Sequence, residues 1–491
     1  MHTTSKFFII VFITIAATSC KKSFITLTPL SNQTTATFFK SASDFQQGVN
    51  AIYDGLQSQQ AYGKAFYYLQ EVRSDNTDIQ DRGANAGAAS QIDLFTEVST
   101  NSFISDAYAG SYVIIARANA VLDNVDAARI ADSAKKQFKG EASFLRALSY
   151  FNLVRLYGKV PLVVKTETTT QALQDKRNEV AEVYAQIETD LSTAAGSLPT
   201  KYTNKADAGR ATAGSANALL GKVLVTEKKW QLAITALMSV LPSYSLLSNY
   251  ADLYNPANVQ NAENIFAVRF TKGLSPSEGN TFFTDMVPTT FYYNGIKYGG
   301  SYNNRPTNNL AAAYEGGDNR FAPSMDSSYA ASSSSIVKGN YVKKYLDVPS
   351  ATSDEGSSFY VLRYADVLLL LAEAMNESGY SAADGAGTAF GYLNQVRTRA
   401  GLPAKDAAAL SAQDAFRDAI FSERRVELAF ENDRWFDLVR YSKGLAILQA
   451  HLLNEYTLST PVLTANRLLY PVPQREVDLY NNPATFPQNP Q

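Results

Sequence analysis

A single cysteine, Cys20, among 491 residues rules out an internal disulfide framework, and with only two histidines the usual ligand sets of zinc, haem and iron–sulfur centres are missing as well. A hard-cation site made of carboxylates stays open. Charge of one sign is also lacking. Lys and Arg total 44 against 46 Asp and Glu, and a net charge of -2 provides no field that would gather nucleic acid. No apolar run reaches the roughly twenty residues that a spanning helix needs. The motifs H-E-x-x-H, G-x-S-x-G and G-x-x-x-x-G-K-[S/T] do not occur. Tryptophan is scarce at two residues, yet there are 29 Tyr and 26 Phe, a surplus that calls for a structural or functional use.

The first twenty residues, MHTTSKFFIIVFITIAATSC, place a cation at Lys6, an apolar run from Phe7 to Ala17 and small residues directly before Cys20. This is the layout of a secretory signal. Ala17-Thr18-Ser19-Cys20 resembles a bacterial lipobox, so residues 1–19 are expected to be removed and Cys20 to carry lipid. Residues 20–35, rich in Ser, Thr, Gln and Asn, read as a tether.

In the body, apolar residues recur three or four apart over Ile104–Val125, Ala134–Tyr157, Val180–Ala194, Ala211–Thr226, Gln231–Leu241, Arg363–Ser378, Ala389–Arg399 and Gln413–Phe430, which predicts helices there. Strand-like pieces are few: Val160–Val164, Asn264–Phe270 and Tyr341–Tyr345. Leu220-Gly221, Leu224, Ala233, Leu237 and Val240 fall at the intervals of a tetratricopeptide helix pair, and a second pair follows from Arg363. The expected fold is therefore mainly α: a tetratricopeptide-like helix-pair scaffold with a loop-rich insert and a few short strands. Residues 36–244 form its N-terminal helical region and 359–491 its C-terminal one. Residues 245–358, full of Gly, Asn, Ser, Pro and Tyr without a sustained period, form the insert.

Gly140-Glu141-Ala142-Ser143-Phe144-Leu145-Arg146-Ala147, continuing through Tyr150-Phe151 to Tyr157-Gly158-Lys159-Val160-Pro161-Leu162, resembles the helix that marks SusD-like (RagB/SusD) nutrient-binding lipoproteins of Bacteroidetes. FYVLRYADVLLLLAE from Phe359, LNQVRTRAGL from Leu393, ERRVELAFENDRWFDLVR from Glu423 and the tail Leu469–Pro473 with Gln488-Asn489-Pro490 agree with it. The resemblance implies a non-catalytic receptor held at the outer membrane by its lipid. Such a receptor captures an oligosaccharide, or in some relatives a peptide, and passes it to a SusC-like TonB-dependent transporter. Acidic residues often follow the lipidated cysteine in exported members, whereas Lys21 and Lys22 stand here, so the face of the membrane is left open.

Two segments are candidates for ligand contact. Phe291, Tyr292, Tyr293, Tyr298 and Tyr302 lie among asparagines and glycines, and a tyrosine ring can stack on a sugar while its hydroxyl hydrogen-bonds. The polar stretch Arg73–Gln91 offers Asp75, Asn76, Asp78 and Arg82, with Asp81 between them, and resembles the family region that contributes ligand contacts. A calcium clasp is the other use of such closely spaced oxygens, although the spacing is not that of an EF-hand. No cofactor is expected.

Glu423, Glu427 and Glu431, four apart, would line one helix face, and paired carboxylates can do acid–base work as in a glycoside hydrolase. Arg424, Arg425, Arg434 and Arg440 crowd the same stretch, which favours structural ion pairs. Trp435 and Trp230 fall on helices and are read as packing residues.

Overall fold

The computed structural model describes residues 38–204, 207–351, 354–456 and 463–491. Cys20 and the tether lie outside the described residues. The first full helix among the described residues, α1 (Ala42–Gln57), was not among the expected ones. Its start is set by a capping box in which Ser41 and Asp44 satisfy each other's backbone N–H, and it buries Phe45, Val49, Ile52 and Leu56. Next come α2 (Ser102–Val125), α3 (Asp132–Tyr157), α4 (Val180–Ser197), α5 (Ala213–Thr226) and α6 (Trp230–Met238). The C-terminal region supplies α7 (Tyr364–Ser378), α8 (Ala389–Arg399), α9 (Gln413–Glu427), α10 (Arg434–Arg440) and α11 (Gly444–Tyr456).

Successive helices pack as neighbours from α1 through α6, with α1 and α5 also touching α3, and both α5 and α6 lean on α7, which carries α8 and α9. This is the stacked-pair scaffold expected from the spacing. From Phe138 onward α3 is almost wholly buried, because α2 and α4 cover opposite sides of it. Arg146 fastens the three together: its guanidinium forks onto Asp190 of α4 at 2.8 and 2.7 Å and donates to Asn119 of α2 at 2.7 Å. Gly158, at φ 69°, stops the helix.

In the α5–α6 pair the helices touch at Gly221, where an added Cβ would sit 2.4 Å from the buried Leu237 side chain. Removing a mid-helix glycine gains about 1 kcal/mol of helix propensity at most, while overpacking costs roughly 1–3 kcal/mol. Gly221→Val, β-branched and larger, is expected to lower the thermal midpoint; an unchanged midpoint in a calorimetric scan would show that the pair has room to part.

Among the described residues the strands are short and form four two-stranded antiparallel ribbons. They are β1 (Thr77–Asp78), β2 (Asn264–Val268), β3 (Phe291–Tyr293), β4 (Ile296–Tyr298), β5 (Arg305–Pro306), β6 (Met325–Ser332), β7 (Ser335–Val342) and β8 (Phe359–Arg363). The pairings are β1 with β5, β2 with β8, β3 with β4 and β6 with β7. The insert thus leaves and re-enters the scaffold through two paired strands, β2 and β8.

Three expectations need correction. Val160–Val164 forms a single bridge, Val160 to Asn178, and no strand. Side chains take its backbone groups instead, since Tyr150 Oη bonds both the N–H and C=O of Val163 while Tyr112 and Asn119 donate to the carbonyls of Pro161 and Val163. Tyr341–Tyr345 is strand only to Val342, beyond which the Lys344 ammonium turns inward to Glu431. Helix α9 ends at Glu427 and not at Phe430, because the buried Glu71 carboxylate accepts the N–H groups of Phe430 and Asn432, two residues at φ 68° and 66°.

The main core runs unbroken from Phe45 to Tyr470 and includes both helical regions. A smaller cluster belongs to the insert alone: Phe283, Val287, Phe291, Tyr302 and Tyr341.

Candidate functional site

The small cluster is the foundation of the candidate surface. A short helix, Phe282–Met286, splits its aromatic pair between the two cores. Phe282 packs against Tyr345 and Phe359 of the main core, and Phe283 meets Phe291 and Tyr298 of the insert at ring separations of 6.1 and 5.2 Å. Glu355 holds the start of this helix, accepting from Phe283 N at 2.5 Å and from Thr284 N at 3.1 Å.

Asn294 and Gly295, both at positive φ, turn β3 into β4, the Asn-Gly hairpin turn. The register pairs Phe291 with Tyr298, Tyr292 with Lys297 and Tyr293 with Ile296. Because side chains alternate along a strand and directly opposed residues share a face, Phe291, Tyr293 and Tyr298 turn toward the cluster while Tyr292 and Lys297 turn away from it. Tyr329 of β6 packs edge-on against Tyr302 and Tyr341 at 6.3 and 6.1 Å. The hydroxyls of Tyr292, Tyr293, Tyr298 and Tyr329 bond no group among the described residues, and all four side chains are half-buried. Tyr293, Tyr298 and Tyr329 thus form a patch of rings held by packing with their polar ends free, and Tyr292 stands on the other face of the hairpin without a ring contact.

Two members of the expected set do not share this exposure. Phe291 is 1% exposed and Tyr302 4%, and the Tyr302 hydroxyl is used up on the Asn340 carbonyl at 2.6 Å. Both support the rings around them and present no face to a ligand.

The polar stretch comes to the same place. The β1–β5 ribbon pairs Thr77 with Pro306 and Asp78 with Arg305, and Thr307 N donates to the Asn76 carbonyl. At its near end, however, Asp75 and Asn76 are structural. Asp75, 3% exposed, takes a forked pair from Arg434 at 2.7 and 2.9 Å and a second cation, Arg425, at 3.1 Å. Burial opposes its charge, yet the two guanidiniums outweigh that and hold the carboxyl below the usual range. Asn76, buried, links Glu71 to Arg425.

Asp78 is committed as well, gripped at both oxygens by Arg305 at 2.7 and 2.5 Å. Arg82 is partly exposed, pairs with Asp93 and lies 4.7 Å over the Tyr456 ring. Asp81 is exposed and accepts from Gly83 N at 2.9 Å. These acids face separate partners, and among the described residues no group of three or more His, Cys, Asp or Glu side chains is placed to hold a metal.

Burial pushes the carboxyls of Glu71, Asp93 and Glu355 up to about 7 against the hydrogen bonds they accept. A carboxyl raised in the folded state adds stability that is complete below the unfolded range near 4 and is lost as pH climbs through 7. Each is worth on the order of 1–3 kcal/mol. Buried His451, held below its ordinary value chiefly by desolvation, acts in the opposite sense but is one group against three. The thermal midpoint is therefore expected to fall between pH 5 and pH 8, and Glu355→Gln to flatten that slope; a midpoint rising over this interval would refute the assignment.

The charged run is buried. Glu427 accepts from Arg320 at 2.9 Å and from Arg363 and Arg399; Glu431 pairs with Arg363 and Lys344 at 2.7 Å each; Glu423 pairs with Arg320 at 2.6 Å and Arg397 at 2.8 Å. Desolvation works against the Glu427 and Glu431 charges, and the surrounding cations still keep both carboxyls low. Glu427 and Glu431, ionised and fully engaged by cations out of solvent, have no proton to give. Trp435 is wholly buried beside Phe95 and Arg73, and Trp230 packs on the main core.

Open hollows lie away from the rings. One of about 490 Å³ opens between α1 and β2, lined by Tyr53, Gln57, Arg210, Phe266 and Arg269, and one of about 330 Å³ lies at Trp230, Glu373, Arg417 and Arg440. The tyrosine patch is a surface against which a long ligand can lie, a geometry that local sequence could have indicated through Asn294-Gly295 between Phe291-Tyr292-Tyr293 and Ile296-Lys297-Tyr298.

Comparison with known proteins agrees with this architecture. A SusD family model matches residues 287–491, and a second, described as starch-binding associating with outer membrane, matches residues 24–225. SusD-like protein P2 of Formosa agariphila is 27% identical over 493 residues, covering 92% of this chain and 93% of that protein. A SusD-like protein of Bacteroides ovatus is 25% identical, covering 90% and 83%. Among solved structures, a laminarin-binding SusD-like protein superposes with a TM-score of 0.76 at 26% identity, covering 92% of this chain and all of that one. Surface glycan-binding protein A of Bacteroides thetaiotaomicron, in complex with laminarihexaose, shares the fold at a TM-score of 0.77 and 20% identity, covering 92% and 100%.

Proposed function

Since the chain is a SusD-like protein, a member of the SusD/RagB family, we propose that it is a glycan receptor of the outer membrane that holds an oligosaccharide against its tyrosine patch and delivers it, unaltered, to a SusC-like TonB-dependent transporter. One observation carries the reading: Tyr292, Tyr293, Tyr298 and Tyr329 are half-buried, and their hydroxyls are unused by the protein. A sugar ring needs both an apolar face and hydrogen-bonding partners, and such tyrosines supply the two together. The glycans named for two similar structures point the same way.

In this account Arg82 is, within the polar stretch, the charged group best able to reach a ligand, while the Asp78–Arg305 pair fixes the ribbon beneath. Lipid on Cys20 keeps the body at the membrane, and residues 245–358 act as the ligand-bearing insert between the helical regions. The open patch leaves one side of a bound chain uncovered, a side that the transporter would close, so the isolated receptor needs only modest affinity.

Purified mature protein, incubated with a panel of oligosaccharides and peptides and assayed for both retention and products, tests the proposal. Retention of glycan without products supports it. Product formation would assign a hydrolase, and retention of peptides alone would move the receptor to the peptide-uptake branch.

A further inference from the structure

We propose that the glycan selected by this patch carries negative charge, as uronate carboxylates or sulfate esters; the inference rests on the receptor reading above and adds its substrate class. It comes from accounting for every charged side chain between Phe291 and Val342, the span that holds β3 to β7. Its three acids are all engaged: Glu315 with Arg397 at 2.7 Å, Asp318 with Arg320 at 2.7 Å and Asp326 with Lys343 at 3.6 Å. Arg305 and Arg320 are neutralised by Asp78 and by their glutamate partners. Two charges remain without an ionic partner, Lys297 and Lys338, and both are exposed and positive.

Their placement matters more than their number. Lys297 is the cross-strand partner of Tyr292, on the face of the hairpin turned away from the cluster, and directly opposed side chains stand about 5 Å apart at Cβ. Tyr292 makes no ring contact of its own, so its face is free for a pyranose. A sugar lying on that ring has its substituents within reach of the Lys297 ammonium. Lys338 stands opposite Ser328 on β6, one position from the Tyr329–Val337 pair, and so on the face of that hairpin turned away from the cluster, as Lys297 is on its own hairpin. A neutral glucan would offer these ammonium groups only hydroxyl oxygens, whereas an acidic chain would offer charged acceptors, whose hydrogen bonds are roughly twice as strong. Lysine on an exposed hairpin can also serve only to discourage edge pairing, and the two roles differ in what they do to affinity.

The test is calorimetric titration of the full mature chain with three oligosaccharides of equal length: an alginate oligouronate, a carrageenan oligosaccharide and laminarihexaose. The expected result is at least tenfold tighter binding of one acidic ligand than of laminarihexaose, weakening several-fold as NaCl rises from 20 to 200 mM. Lys297→Gln is expected to reduce the acidic affinity about fivefold and leave the neutral one in place, with Lys338→Gln acting in the same direction. Preference for the uronate identifies carboxylate recognition, and preference for the carrageenan identifies sulfate. Laminarihexaose bound as well as both acids, or unchanged affinities in Lys297→Gln, would overturn the charge inference and leave the receptor intact. Failure of all three to bind, together with every other glycan tried, would overturn the receptor reading with it.

Discussion

Glu427→Ala is expected to abolish the folded protein at physiological temperature. The change removes the one carboxylate to which Arg320, Arg363 and Arg399 all converge, arginines drawn from the insert, from β8 and from the end of α8. Three buried guanidiniums would then face each other with less compensation, and breaking a single buried pair already costs about 3–5 kcal/mol. Total stabilities are only about 5–15 kcal/mol, so the loss is a large fraction of what is available. Glu315→Ala provides the contrast, because that carboxylate is 45% exposed at the side chain and meets Arg397 at the rim of the same network. Exposed pairs contribute about 0–1 kcal/mol. Denaturant titrations followed by circular dichroism compare the two; equal midpoints would mean that the network is not what joins the insert to the scaffold.

Tyr292→Ala is expected to weaken capture of any glycan retained by the wild-type protein at least about tenfold, equivalent to ~1.4 kcal/mol, with the thermal midpoint essentially unmoved. The ring has no hydrogen bond or ring contact to lose. Its neighbour in sequence behaves oppositely: Phe291 packs among Tyr293, Tyr329 and Tyr341, and Phe291→Ala is expected to cost roughly 3–5 kcal/mol of stability. Titration and thermal melts of the two variants separate the roles. If Tyr292→Ala binds like wild type, the ligand does not lie on this side of the hairpin.

Helices were legible wherever their apolar stripe is regular, which is why α2 to α9 were foreseen within a few residues. The overlooked α1 has its stripe diluted by polar residues, Gln46, Gln47 and Asn50, and it rests on α2, α3 and β2, partners that local sequence does not reveal. Val160–Val164 is β-branched enough to suggest a strand, but its backbone is claimed by Tyr150 and Asn119 from distant positions. The same reason explains the mixed outcome at the candidate surface. Composition singled out this hairpin through its tyrosines among asparagines and glycines, yet only the register decides that Tyr292 faces outward and Phe291 inward. Asp75 and Asn76 looked available because nothing nearby in sequence neutralises them; Arg425 and Arg434 arrive from some 350 residues away.

The pairing of β2 with β8 has a practical corollary. Its two strands enter and leave the scaffold side by side, anchored by Asn264 opposite Arg363 at one end and Val268 opposite Phe359 at the other. The stretch between them meets the frame at this doorway and again at the β1–β5 ribbon, so an exchange of that stretch with a relative requires matching both. Arg320 and Lys344 would have to travel with the graft to satisfy Glu423, Glu427 and Glu431 below. Swapped in this way, ligand preference should follow the transplanted piece and leave the helical frame unaltered.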